Sequence, residues 1–104
     1  MSYLNINYDE VRAVAKEFEN QSETSDQIVG NVGSQGEQLM TNWEGHAQKT
    51  FILQLESCER RMKKVPGMLM QIAGALRYAA DKIEEAEREA ERAMRESMNA
   101  NDGY

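Results

Sequence analysis

The residues of this sequence that could take part in chemistry are few and scattered. His46 follows Glu44 by two residues, a pairing that could support acid–base catalysis or metal binding, but it is the only histidine. Cys58 is the only cysteine, so neither an internal disulfide nor a multi-cysteine zinc site can form. Since no nucleophile, base and acid come together in a motif, we expect His46 to be a solvent-facing turn residue and the protein to have no enzymatic activity.

Two charged clusters could be mistaken for binding sites. The carboxylates from Glu84 to Glu91 alternate with arginine and lysine, and they lack the spacing of a calcium-binding loop. The second cluster contains four cations next to two glutamates: Arg60, Arg61, Lys63 and Lys64, with Glu56 and Glu59. It could contact an acidic surface, but we interpret it as a solvated helix face. We therefore expect no metal and no cofactor.

The overall charge and hydropathy argue against two classes of partner. The formal net charge of -6 opposes binding to nucleic acid, whose affinity for proteins comes largely from Lys and Arg contacts to phosphates. No stretch approaches the ~20 apolar residues that span a bilayer, and the first eight residues lack the pattern of a Sec signal peptide. We expect no nucleic-acid partner, no stable membrane insertion and, if the protein is exported, export without such a signal.

The elements that position these residues are predicted to be helices within a single domain of 104 residues. Asn7 can cap a helix that starts near Tyr8, because Asp9 and Glu10 suit the positive end of the helix dipole. A helix over about 8–40 is predicted by an apolar stripe at steps of three and four, with glutamines as two of its polar members: Val11, Val14, Phe18, Gln21, Ser25, Ile28, Val32, Gln35 and Leu39.

The second helix is predicted over about 47–96, with a flexible tail at 97–104, because a heptad repeat runs unbroken from Phe51 to Ala93. Glu84/Arg88 and Glu91/Arg95 are favourable pairs four residues apart on it. Pro66 interrupts the helix, since proline lacks a backbone donor. The heptad phase continues through Pro66, which favours one kinked helix over two separate helices.

Periodicity lapses at about 41–46, where Trp43 precedes Gly45, and this segment is predicted to be the turn of a helical hairpin. A hairpin covers only one side of each helix, so two hairpins are expected to pair. The predicted fold is all-α: an antiparallel helical hairpin with a W-x-G turn that dimerises into a four-helix bundle. The seam of the hairpin core or dimer is predicted to contain Phe18, Ile28, Val32, Leu39, Phe51, Leu55, Cys58, Met62, Val65, Leu69, Ile72 and Leu76.

The segment Asn42-Trp43-Glu44-Gly45, placed midway between two amphipathic helices in a short acidic chain, resembles the turn of the WXG family of ESAT-like proteins. Trp43 and Gly45 match its W-x-G signature, and the likeness covers nearly the whole chain. Trp43 can close the end of the bundle, while Gly45 is expected to permit a close backbone approach.

This resemblance implies a substrate of a type VII (ESX) secretion system, exported as a folded homodimer or heterodimer. Such proteins are made in the cytoplasm and secreted without a Sec signal, and the cell surface is one destination. The family carries its export signal past the bundle, often as Y-x-x-x-D/E, and the secretion ATPase recognises it. In this chain Tyr78 is followed by Asp81 at the third position and Lys82 at the fourth. The resemblance implies an export or partner-recognition segment containing Tyr78, Asp81, Ile83, Glu87, Ala90 and Met94.

Two functions remain open from the sequence. One is a secretion substrate or adaptor that pairs with itself or with a related helical hairpin. The other is a cytoplasmic coiled-coil scaffold or chaperone-like adaptor without an export role. The polar stripe positions Gln21, Ser25 and Gln35 are compatible with either an identical or a different partner.

Overall fold

The structure is a computed structural model that describes residues 7–41 and 43–102. Three helices follow one another, α1 at Tyr8–Met40, α2 at His46–Met62 and α3 at Val65–Asp102. The residues that the structure describes include no strand, and the predicted all-α hairpin is confirmed. Asn42, at the predicted turn, and residues 103–104 of the predicted tail lie outside these ranges.

The hairpin is a rod two helices wide. Its extents are 91 × 20 × 16 Å, and its radius of gyration is 24.8 Å, nearly twice the ~13 Å of a compact chain of about 100 residues. As the residue numbers of α1 rise, those of the residues it contacts fall: Arg12 bonds to Asp81, Ser22 bonds to Pro66, and Gly36 lies beside Leu55. Helix α1 therefore lies antiparallel to α2 and α3, which follow each other along it.

Helix α1 begins where the capping pattern predicts. The Asn7 side chain accepts a hydrogen bond of 2.7 Å from the Asp9 backbone N–H, and the Asn7 backbone is extended. Asp9 and Glu10 occupy the first turn, where their charges favour the free amides.

The second half of the hairpin is divided at Lys63–Lys64, just before Pro66. Proline has no N–H to donate to the Met62 carbonyl, and the first turn of a helix is where its missing donor is best tolerated. The Lys63 N–H still bonds to Glu59 O at 2.9 Å, whereas the Lys64 N–H bonds to Arg61 O at 3.2 Å in a tighter turn. The sequence favours one kinked helix here, but the structure has two separate helices.

Helix α3 continues to Asp102, beyond the predicted end at residue 96. The prediction of a flexible tail from residue 97 is wrong as far as Asp102. Alanine, glutamate and arginine favour helix here, and ion pairs one turn apart, such as Arg95 with Glu91 at 2.6 Å, support it.

The two sides of the hairpin meet along an inner seam of small residues spaced by seven. Its buried members are Ala15, Ser22, Val29, Gly36, Ala73 and Ala80. Small side chains let the two backbones approach closely but bury little apolar area. No large side chain among the described residues is fully buried, and α2 contributes no buried residue at all.

Candidate functional site

The large apolar residues of the predicted stripes lie beside the inner seam rather than within it. If Phe18 and Leu69 are assigned to position a of their heptads, the inner seam occupies position e, four residues later. Position d lies on the opposite side of a, turned away from the facing helix. Where the two sides of the hairpin face each other, residues at a are half-buried except Leu39, and those at d are exposed except Phe51: Ile28 is 48%, Val65 40% and Ile72 42% accessible.

The a and d residues of the two sides merge into one surface, which we call the outer face. A groove of about 110 Å³ on it is lined jointly by Ser25, Ile28 and Val29 of α1 and by Met62 and Val65 of the opposite side. That volume exceeds the roughly 30 Å³ of a water and is less than the roughly 150 Å³ of a cavity that holds benzene, so it suits one aliphatic side chain. The outer face comprises Val14, Phe18, Ser25, Ile28, Val32, Leu39, Phe51, Leu55, Cys58, Met62, Val65, Leu69, Ile72 and Leu76.

The predicted seam residues fall into two groups. Those half-buried by their own hairpin are Phe18, Val32, Phe51, Leu55, Met62, Leu69 and Leu76, and those exposed are Ile28, Leu39, Cys58, Val65 and Ile72. Cys58, a predicted residue of the seam, is exposed in the single hairpin. The reason is that the hairpin closes along position e, so its d residues face outward.

Sequence reasoning missed the inner seam. A repeat of small residues every seven positions, from Ala15 through Ser22 to Gly36, was available as a signal. Alanine and glycine are ordinary helix-surface residues as well, and the larger stripe next to them is the stronger hydrophobic pattern. A Cβ built on Gly36 would lie 2.3 Å from Leu55 Cδ2, so this glycine makes room for a side chain of α2.

Ion pairs join α1 to α3 at the open end of the hairpin. Arg77 donates two hydrogen bonds to the Glu19 carboxylate, from Nε at 3.1 Å and from an Nη nitrogen at 2.6 Å. These bonds hold the pKa of Glu19 below its usual value and raise the pKa of Arg77. Arg12 bonds to both Asp81 and Glu84 at 2.7 Å, which lowers the pKa of Glu84. The pairs fix the register between the two helices.

The W-x-G turn closes the other end. The ring of Trp43 lies 5.2 Å from that of Phe51 at an interplanar angle of 41°, and Trp43 remains 36% exposed. Gly45 has φ of +104°, a conformation that L side chains rarely adopt, and a Cβ on it would meet nothing within 4 Å. The expectation that Gly45 permits a close approach is therefore wrong, because its backbone angle is what requires glycine. His46, the first residue of α2, is exposed.

The predicted recognition residues are dispersed over the last part of α3. Tyr78 is 65% exposed and lies under the Lys82 ammonium, 5.5 Å from its ring centroid. Asp81 is held by Arg12 of α1, and Ile83 is half-buried. Beyond them, every side chain from Glu85 to Ala100 is exposed, including the last three predicted residues, Glu87, Ala90 and Met94.

Residues 85–102 form a C-terminal extension that no other helix of the described residues accompanies, and it is roughly 27 Å long at 1.5 Å per residue. Three ion pairs along its surface support it. Two are the predicted pairs, Arg88 with Glu84 and Arg95 with Glu91, each at 2.6 Å, and the third is Arg92 with Glu89. The extension is therefore a solvated single helix.

Over residues 7–41 and 43–102 no three His, Cys, Asp or Glu side chains are grouped so that they could hold a metal ion. None of the helices in these ranges has an apolar stretch long enough to cross a bilayer. The four cations Arg60, Arg61, Lys63 and Lys64 are all exposed at the end of α2 and the following turn.

Residues 3–88 match the model of the WXG100 family, described as proteins of 100 residues with WXG. Among solved structures, the chain is similar to EsxA of Geobacillus thermodenitrificans, with a TM-score of 0.75 at 20% identity over 83% of this chain and 94% of that one. That likeness concerns the fold. No curated protein sequence matches the chain. Because the family match covers both sides of the hairpin and the turn between them, the chain belongs to the WXG100 family.

Proposed function

We propose that this chain is a small, non-enzymatic substrate or adaptor of a type VII (ESX-like) secretion system. It acts as half of a dimeric four-helix bundle formed with itself or with a related helical hairpin. The observation that carries the proposal is the outer face, which joins large apolar side chains of both sides of the hairpin and leaves them open to solvent.

The single hairpin leaves large apolar side chains incompletely buried. The inner seam removes mostly alanine, serine and glycine from water, and burial of apolar area contributes only about 25 cal/mol per Å². Isoleucine, valine and leucine side chains on the outer face each contribute roughly 1.5–3 kcal/mol when fully buried. A contiguous apolar surface of this kind on a soluble protein marks an interaction site. A second hairpin supplies a matching pair of apolar stripes.

Export follows from the family resemblance. In this proposal the C-terminal extension projects from the bundle and presents Glu87, Ala90 and Met94 to the secretion ATPase. The protein is made in the cytoplasm and leaves without a Sec signal. Its helical surface is compatible with recognition by a separate protein, because every side chain from Glu85 to Ala100 is exposed.

Pairing is tested with Ile72→Glu and the adjacent Gln71→Glu as its control. Both residues are exposed in the single hairpin, and both variants add one negative charge to α3. Light scattering of the purified chain, alone and mixed with candidate partner hairpins, should show a dimer for wild type and Gln71→Glu and a monomer for Ile72→Glu. Equal masses for the two variants would contradict pairing through the outer face.

Export is tested in the native host by comparing culture supernatants with and without the secretion ATPase. The proposal predicts that the chain disappears from the medium when the ATPase is absent and accumulates inside the cell. Export that persists without the ATPase, or a chain that is never exported, would instead support a cytoplasmic scaffold. A cytosolic marker protein in the same samples reports lysis.

A further inference from the structure

We propose that α2 opens from α1 as a single unit, hinged at Lys63–Lys64, while α3 remains docked. The hairpin would then consist of a firm base, where α3 packs on the first half of α1, and a movable arm, α2. The two later helices are held to α1 unevenly.

Contacts that hold α3 are specific and lie on the base side of the break. Arg77 bonds twice to Glu19, and Arg12 bonds to Asp81 and Glu84. Ala73 and Ala80 are almost completely buried, at 1% and 0% exposure. Local opening is least favourable where buried contacts and cross-helix bonds are dense, so α3 is the firm partner of α1.

Helix α2 is held more loosely. It has no buried residue, and its contacts with α1 and the turn include Leu55 against Gly36, the Gln48 amide donating to Met40 O at 3.2 Å, and Phe51 beside Trp43. Short non-helical segments, residues 43–45 and Lys63–Lys64, flank it. A helix of this kind can leave its neighbour without unwinding.

Ser22 marks where the opening stops. Its buried hydroxyl donates a hydrogen bond of 2.8 Å to the carbonyl of Pro66, the second residue of α3. Pro66 at the same time cannot donate to Met62 O, which removes one helical bond across the break. The Met62 carbonyl of α2 thus loses a helical hydrogen bond, whereas the Pro66 carbonyl of α3 gains a hydrogen bond from Ser22 of α1.

The consequence for pairing rests on the proposed function. Phe51, Leu55, Cys58 and Met62 of α2 form the part of the outer face nearest the turn. An arm that moves changes the width of that part, so one chain can fit partner hairpins with side chains of different sizes. The part formed by α3 stays constant and sets the register.

Hydrogen exchange of the purified full-length chain, followed by mass spectrometry, tests the hinge without any secretion assay. We expect the amides of α2 to exchange at one common rate, about tenfold or more faster than those of Leu69–Ile83, with a step between Met62 and Pro66. A rate that falls smoothly from the turn without a step, or equal protection of the two helices, would overturn the proposal. Loss of pairing or export leaves this outcome untouched, so the two proposals fail separately.

Two variants at the break sharpen the test. Pro66→Ala supplies the N–H that Met62 O lacks, and it should slow exchange of α2 several-fold and remove the step. Gly67→Ala is the matched control, since its Cβ meets nothing within 4 Å and it raises helix propensity in the same turn without adding a donor. The hinge is refuted if both variants slow α2 equally.

Ser22→Ala tests the fixed end of the hinge. Without the bond to Pro66 O, fast exchange should spread from α2 into the first turn of α3, as far as Leu69. Ser34→Ala, at an exposed position of α1, should leave the step in exchange rate between Met62 and Pro66 unchanged. An unchanged step in Ser22→Ala would exclude Ser22 as the anchor.

Discussion

The inner seam and the outer face run side by side along the same helices but are built from different residues. The seam holds Ala15, Ser22, Gly36, Ala73 and Ala80 with Val29 as its one larger residue, whereas large apolar side chains make up most of the outer face. Small residues let two helices of one chain approach closely, and large ones supply the apolar area that a second molecule can cover. The difference indicates that closing the hairpin and binding a partner are separate tasks given to adjacent stripes.

A hairpin closed in this way should be only marginally stable alone. The described residues contain no fully buried large side chain, and a core this small leaves little net stability after the entropy of ordering the chain is offset. The cross-helix ion pairs are only partly buried, so solvent screening leaves them a modest share of the stability, and their main effect is on register.

The largest expected effect comes from enlarging a seam residue. Ala80→Leu places a bulky side chain at a position with 0% exposure, and overpacking of this kind destabilises by about 1–3 kcal/mol. Ala79→Leu, one residue earlier and exposed, should leave the unfolding midpoint nearly unchanged. Urea unfolding followed by circular dichroism at 222 nm measures the stability of both variants. Similar losses of stability would show that Ala80 is not more tightly packed than the exposed Ala79.

Removing the polar member of the seam should have a smaller effect. Ser22→Ala deletes the hydroxyl that bonds to Pro66 O, and a lost intramolecular hydrogen bond of this type lowers the free energy of unfolding by about 0.5–1.5 kcal/mol. Ser34→Ala serves as the exposed control in the same unfolding measurement. A Ser22→Ala protein as stable as wild type would mean that the bond adds nothing to the seam.

Two glycines of α1 should differ in how much alanine stabilises the fold at their positions. Gly30→Ala meets nothing within 4 Å and should raise the free energy of unfolding by about 0.5–1 kcal/mol through helix propensity. In Gly36→Ala the new methyl group must displace Leu55, which offsets that gain. Thermal unfolding of the two variants checks this difference, and equal stabilisation would show that Leu55 yields freely.

The smallest expected effect is on the pH dependence of stability. Glu19 and Glu84 have a pKa below the usual 4.5 in the folded chain. Their bonds to arginine therefore stabilise the fold above that value, and the contribution is lost as the pH falls below 4.5 through the lowered pKa.

Glu19→Gln combined with Glu84→Gln should lower the melting temperature at pH 7 and have progressively less effect below pH 4.5. Glu17→Gln, at an exposed position of α1, is the control. A deficit in the double variant that persists unchanged in strong acid would show that it does not arise from ionised carboxylates. The deficit at pH 7 should also shrink in high salt.

Much of the fold follows from local pattern. Asn7 with Asp9 marks the start of α1, Trp43 and Gly45 mark the turn, and the heptads from Phe51 onward mark the second side of the hairpin. Helix α3 extends past the predicted end at residue 96, because helix propensity and ion pairs support the extension. Pro66 predicts a kink in one helix, whereas the structure has two helices separated at Lys63–Lys64.

The sequence by itself determined that this chain forms amphipathic helices that fold back at a W-x-G turn, since helix periodicity, capping and glycine φ are local properties. Only the tertiary structure decided which stripe closes the hairpin. The a/d pattern is equally compatible with contact inside one chain or between two, and the choice depends on how closely two backbones can approach. That distance is set by pairs of residues far apart in the chain, such as Gly36 with Leu55 and Ser22 with Pro66.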